Sequence, residues 1–330
     1  MGLFSKTKKI AGWLSINLQA DRIVLAHVIV APGARPRVGL VASYPVDRAL
    51  VGPTVDKLTR ELHLQRYQLT HLLNHGDYQL LTVDALNLPR DELKSAVRWR
   101  IKDVLDFPVD DAVIDVLDVP TDRSTPERKG PIYAVAASAA LIRQRQQLFD
   151  DARLPLQVID IPEMAQRNLS ALLEPQGRGL ALLSCDHDGV LLTITFGGEL
   201  CLARRFDVSL AQLQHNDVSA RAAVYDRVTL ELQRSFDHFE SQFRFITVAK
   251  LMLAPLGDEA HALQAHLSGN LYMPVEAIRL ESLFDCTLVP DLLQPARQQT
   301  FFIALGAALR DTDRAQNNSA AAAAAAGAAA

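Results

Sequence analysis

One pattern occurs twice in this chain, and it limits the available folds more than any other feature. Residues 13–18, 22–30 and 37–44 read as three short strands in succession. The stretch GLALLSCDHDGVLLTITFGGELCLARRFD, residues 179–207, reads the same way. Turn residues separate the strands: Pro32, Gly33 and Pro36 in the first set, Gly189 and the pair Gly197–Gly198 in the second. Alternating helix and strand signals follow each set. Within 22–30, Val24, Ala26, Val28 and Val30 fall on one face and Ile23, Leu25 and Ile29 on the other. Both faces are apolar, so this strand is predicted to be covered on both sides.

After the first set, a helix is predicted near 53–64, with Pro53 near its first turn, then strands in LTHLLN and YQLLTVDAL. The texture changes at Pro89. RDELKSAVRWRIKDVLD, residues 90–106, carries Leu93, Ala96, Val97, Ile101, Val104 and Leu105 as one apolar stripe at helical spacing, and Pro108 should stop it. A strand (112–119), a polar loop, a strand (131–137), a helix (138–152), the strand QVIDI and a helix (162–174) follow. Beyond the second set come a long helix at 221–243, a strand at 246–253, a helix at 257–268, a strand at 275–280 and an apolar helix at 298–310. A meander continued by helix–strand alternation, then repeated, predicts an α/β, actin-like (RNase H-type) duplicated fold. The first actin-like domain is assigned to 1–85 plus 157–176 and 298–312, an inserted subdomain to 86–156, and the second actin-like domain to 177–297. The alanine-rich stretch 313–330 is set aside as low-complexity tail.

Composition narrows the function. The net charge of −4 over 330 residues carries no nucleic-acid signature. Outside the alanine tail no apolar window reaches the ~18 residues of a membrane span. MGLFSKTKKIAG has no long apolar run and no cleavage site, so no signal peptide is expected. Lys6, Lys8 and Lys9 behind Leu3 and Phe4 form either a weak contact for anionic lipid or a soluble tail. Cys185, Cys201 and Cys286, odd in number and widely spaced, fit neither a disulfide framework nor a zinc site. His71 and His75 have a zinc-like spacing without a third ligand, and His187 sits in a turn between aspartates. No residue is assigned a catalytic or metal-binding role.

DYQLLTVDALNLPRDELKSAVRWRIKDVLDFPVDDAVIDVLDVP (77–120), VIDIPEMAQRNLSALL (158–173), LELQRSFDHFESQF (230–243) and FFIALGAALR (301–310) resemble the MshI proteins of mannose-sensitive haemagglutinin (MSHA) type IV pilus biogenesis, relatives of PilM. The resemblance runs from residue 1 to about 310. It implies an actin-like fold with an inserted FtsA-like subdomain. It also implies a cytoplasmic scaffold, peripheral at the inner membrane and reaching the membrane only through a PilN-like bitopic partner. In such relatives the partner's N-terminal tail sits in a groove between the first domain and the inserted subdomain. A pilus assembly ATPase is a second implied partner. The alternatives kept open are a nucleotide-binding ATPase or switch in the same machinery and the cytoplasmic domain of a GspL-type secretion protein.

Actin-like ATPases hold ATP and Mg²⁺ with glycine-rich turns, a carboxylate from each phosphate hairpin and a paired glycine near the adenine. In WLSINLQADRIVLAHV, Ser15 stands at the acid's place, Asn17 at the glycine's, and Leu18 where a small hydroxyl belongs. In the second hairpin Asp186 and Asp188 supply carboxylates, but Gly189 comes too late to cradle phosphate. Ala254 and Pro255 occupy the region of the paired glycine. ATP turnover is therefore not expected, with weak nucleotide binding as the alternative. Glu231 and Arg234 sit on a helix that backs the adenosine side of the cleft in the implied fold, and otherwise form a surface ion pair. Phe236, Phe239 and Phe243 continue Val228 and Leu232 as core. Trp99 lies off the apolar stripe of 93–105, so it is either packed against another subdomain or kept for a partner, with Arg98 and Lys102 beside it to hold a carboxylate or peptide carbonyls.

Overall fold

The computed structural model describes residues 9–84, 88–122, 130–186, 188–257 and 260–310. Lys6, Lys8, His187 and the alanine-rich tail lie outside these. The first meander is β1 (Trp13–Leu18), β2 (Arg22–Ile29) and β3 (Arg37–Pro45). Helix α1 (Val51–Leu62) leads to β4 (Gln68–Leu72), which pairs parallel to β1. Then come β5 (Tyr78–Val83), α2 (Arg90–Ile101), β6 (Ala112–Asp118), β7 (Ile132–Ser138) and α3 (Ala139–Asp151). Strand β8 (Leu156–Asp160) returns to pair parallel with β4, and α4 (Pro162–Ala171) follows.

The second half repeats the plan with β9 (Gly179–Asp186), β10 (Gly189–Phe196), β11 (Glu199–Phe206), α5 (Leu210–Leu213) and α6 (Val218–Gln242). It ends with β12 (Val248–Leu253), α7 (Ala260–Asn270), β13 (Val275–Ala277), α8 (Leu280–Leu283) and α9 (Pro295–Ala308). The strand orders are β3-β2-β1-β4-β8 and β11-β10-β9-β12-β13, so the duplication extends to topology.

Helices α4 and α9 lie between the two sheets. One apolar cluster joins Val24, Ala26 and Val28 of β2, Leu180 and Leu182 of β9, and Phe301, Phe302 and Leu305 of α9. The helices cross so closely that a Cβ on Gly306 would lie 2.3 Å from the Ala165 carbonyl oxygen. The other face of the first sheet packs Ile16, Ile23 and Leu25 against Val55 and Leu58 of α1 and Phe149 of α3. Strand β2 is thus covered on both faces, except that it stops at Ile29 and leaves Val30 exposed. Phe236, Phe239 and Phe243 are buried in the second half.

Four boundaries differ from the sequence reading. Strand β5 pairs with β7 in the antiparallel sheet β5-β7-β6, so that sheet begins at Tyr78, ahead of residue 86. Phe149, Ala152 and Leu154, read as subdomain, close the core of the first sheet. Leu280, Leu283, Phe284 and Leu292, read as second domain, pack with Val38 of the first meander. Helix α2 buries Leu93, Val97 and Ile101 against the small sheet but ends at Ile101, short of Pro108, and Val104 is exposed instead of completing the stripe.

Candidate functional site

The carboxyl ends of β1 and β4 lie beside the start of β10: Asn74, just past β4, donates to the Leu18 carbonyl, and the His75 N–H reaches Asp188. Ser15 and Asn17 share the face of β1 that carries Val24 and Ala26 next door, the face under α9. Both are buried, and the Ser15 hydroxyl donates to Asn17 Oδ1 at 3.2 Å. The Ser15 hydroxyl is therefore engaged by Asn17 on the face of the sheet under α9. In the second hairpin the Asp188 N–H donates to Asp186 Oδ1 at 2.9 Å, and Asp188 Oδ2 accepts from the His75 N–H of the first half at 2.9 Å. In the third loop, Ala254 and Leu256 are buried and Pro255 between them is half-buried. The cavity there, lined by Ser184, Leu213, Val228, Ala254, Leu256 and Leu263, is about 10 Å³, room for one water at most. Glu231 and Arg234 form a 3.0 Å pair, with the Arg234 side chain 61% exposed, and they join none of these loops.

Several polar residues that the sequence reading passed over hold the two halves together. Gln166 of α4 is fully buried. Its amide donates to the Leu182 carbonyl at 2.7 Å and Thr193 Oγ1 at 2.9 Å and accepts from the Ser184 hydroxyl at 2.6 Å. The Tyr78 hydroxyl donates to Glu163 of α4, and Arg205 of β11 donates to the same carboxylate at 3.1 Å. Burial, then the Glu163 charge, push the Tyr78 phenol far above its ordinary value, so it remains a donor. A buried carboxylate without such partners would be strongly destabilising. No spacing pattern in the sequence marks these residues, because their partners come from distant elements.

His71 is enclosed between β1 and Phe149. Its Nδ1 donates to the Ile16 carbonyl at 2.8 Å and its Nε2 is buried without a hydrogen bond. Burial lowers its pKa to about 4, so the ring is neutral. It faces the first core rather than joining His75 at a metal site.

A groove of about 540 Å³ opens between α1 and α3. Gly52, Pro53 and Asp56 form one wall; Gln144, Arg145, Gln147 and Asp151 form the other; Leu148 and Ala152 line it as well. This volume suits a short peptide segment or small ligand. A Cβ built on Gly52 meets nothing within 4 Å, so the wall there is backbone facing open space. Sequence reasoning placed the partner tail along 90–106, but none of Arg98, Trp99 and Lys102 lines this groove. Trp99 is 72% exposed, and Lys102 Nζ lies 5.5 Å from its ring centroid. Arg98 donates to the Val109 and Ala112 carbonyls, the latter at 3.1 Å, and so ties α2 to the start of β6 instead of standing free for a ligand.

This arrangement of sheets and crossing helices is the actin-like ATPase fold, as the comparisons with solved structures show. The chain is similar to a PilM–PilN type IV pilus biogenesis complex, at 21% identity over 91% of this chain and 98% of that chain, with a TM-score of 0.68. It is also similar to a Bacteroides thetaiotaomicron protein described as having an actin-like ATPase fold and unknown function, at 10% identity over 87% and 96% of the two chains, with a TM-score of 0.51. No family model matches the chain, and no curated protein matches it. Among the described residues, no helix is long and apolar enough to cross a membrane.

Proposed function

We propose that this protein is a scaffold of type IV pilus assembly, of the MSHA type, that binds the N-terminal cytoplasmic tail of a PilN-like inner-membrane protein in the groove between α1 and α3. The observation that carries the reading is the groove itself. It lies between a helix of the first meander's domain and the helix that leads out of the small antiparallel sheet. The likeness to a PilM–PilN complex along nearly the whole chain supports the partner class. In this reading the protein works on the cytoplasmic side and reaches the inner membrane only through its partner. Nucleotide turnover is no part of its role, in keeping with Ser15 and Asn17 paired to each other. A second reading, a nucleotide-dependent switch in the same machinery, rests on the Asp186 and Asp188 carboxylates at the second hairpin.

The test is tail binding by calorimetry, with a peptide from the PilN-like protein of the same pilus system. Gly52→Phe places a ring in the groove without backbone strain and should weaken binding at least about tenfold, or 1.4 kcal/mol. Trp99→Ala distinguishes the other face. Loss of affinity in that variant, with Gly52→Phe binding normally, would move the tail to α2 and overturn the groove assignment.

A further inference from the structure

Residues 74–78, from the end of β4 to the start of β5, hydrogen-bond to β1, α3, α4, β11 and the start of the second hairpin's return strand. Asn74 Nδ2 donates to the Leu18 carbonyl at the end of β1 at 2.9 Å. Asp77 Oδ2 accepts from the Asn74 N–H and from Arg145 of α3, each at 3.1 Å. The His75 N–H reaches across to Asp188 of the second half. Tyr78 meets Glu163 and Arg205. Gly76, at φ +93°, lets the chain turn tightly enough to make these contacts.

We infer that this strap couples the α1–α3 groove to the second half of the molecule, a regulation that rests on the groove being a binding site. Arg145 belongs to both systems: it lines the groove and holds Asp77. Its Nε is enclosed and makes no hydrogen bond, while the side chain as a whole stays 18% exposed and lines the groove. A carboxylate or a row of peptide carbonyls there competes with Asp77 for the guanidinium. Asp77 in turn fixes Asn74, and the next residue is the one that grips Asp188. A change at the groove wall therefore reaches the second hairpin through contiguous contacts, without passing through either apolar core.

Hydrogen exchange on the full chain tests this without any tail present. Arg145→Gln and Asp77→Asn should each raise exchange across residues 74–80 and, on the far side, across 184–191, by roughly threefold or more. Arg143→Gln, at an exposed position on the same helix, should change neither. Approached from the opposite end, Asp188→Ala should raise exchange across 74–80. Faster exchange at 74–80 with 184–191 unchanged in Arg145→Gln or Asp77→Asn would overturn the coupling. If those variants do not fold, Asp188→Ala decides alone, and an unchanged strap in that variant overturns it too. A tail that fails to bind the groove would sink the proposed function and leave these measurements as they stand.

Discussion

Single residues here divide into those whose environment is set by water and those whose environment is set by the fold. Trp99 is of the first kind. With most of its ring in solvent, Trp99→Ala should leave the unfolding free energy from urea titration within about 0.5 kcal/mol of the parent. His71 is of the second kind. Burial is the chief cause of its low pKa, Arg145 lowers it further, and the Ile16 hydrogen bond and Asp77 oppose the shift. The unfolded chain takes up a proton near the ordinary value of about 6.5, the folded chain only near 4. Below pH 6.5 the unfolded state therefore binds more protons, and stability is lost as the pH falls toward 4, by on the order of 3 kcal/mol. His71→Asn removes that titration, and its acid-side stability curve should be flatter than the parent's between pH 6.5 and 4. Parallel curves would show that the proton goes elsewhere. A lone histidine in LTHLLN gives no sign of this depth, because the sequence shows the strand but not Phe149 closing over it.

At the scale of elements, two glycines make opposite forecasts. Gly306 sits where α9 crosses α4, and its amide oxygen accepts from Asn168 at 3.0 Å. Even a methyl group there collides with the Ala165 carbonyl. Gly306→Ala, favourable in an isolated helix, should cost about 1–3 kcal/mol by overpacking. Gly52→Ala, in the first turn of α1 with open space around it, should be neutral or stabilising by up to about 1 kcal/mol. Thermal melts of the two variants check both signs. The meanders themselves were legible, because alternation and turn glycines are local. The partner of β5 was not, because Tyr78–Val83 pairs with a strand some fifty residues on, and nothing within it names that mate. The groove was equally hidden: Gly52, Gln144 and Asp151 are ordinary helix-surface residues until α1 and α3 are set side by side.

For the whole molecule, the proposed loss of nucleotide chemistry has a direct check. With Ser15 and Asn17 closed on each other and a water-sized cavity under the third loop, the purified protein should hydrolyse ATP no faster than a heat-treated control. Submicromolar Mg-ATP binding would favour the switch reading instead. The layer formed by α4 and α9 has another outcome. Because residues of both sheets pack into one cluster around α9, neither repeat owns a complete interior. The internal duplication is thus one of pattern and not of autonomy. A fragment ending near residue 176 would present Val24, Ala26 and Val28 to solvent, and should be recovered as aggregate or as an expanded chain. The intact protein, by contrast, should melt in one transition, with the two repeats losing their structure together.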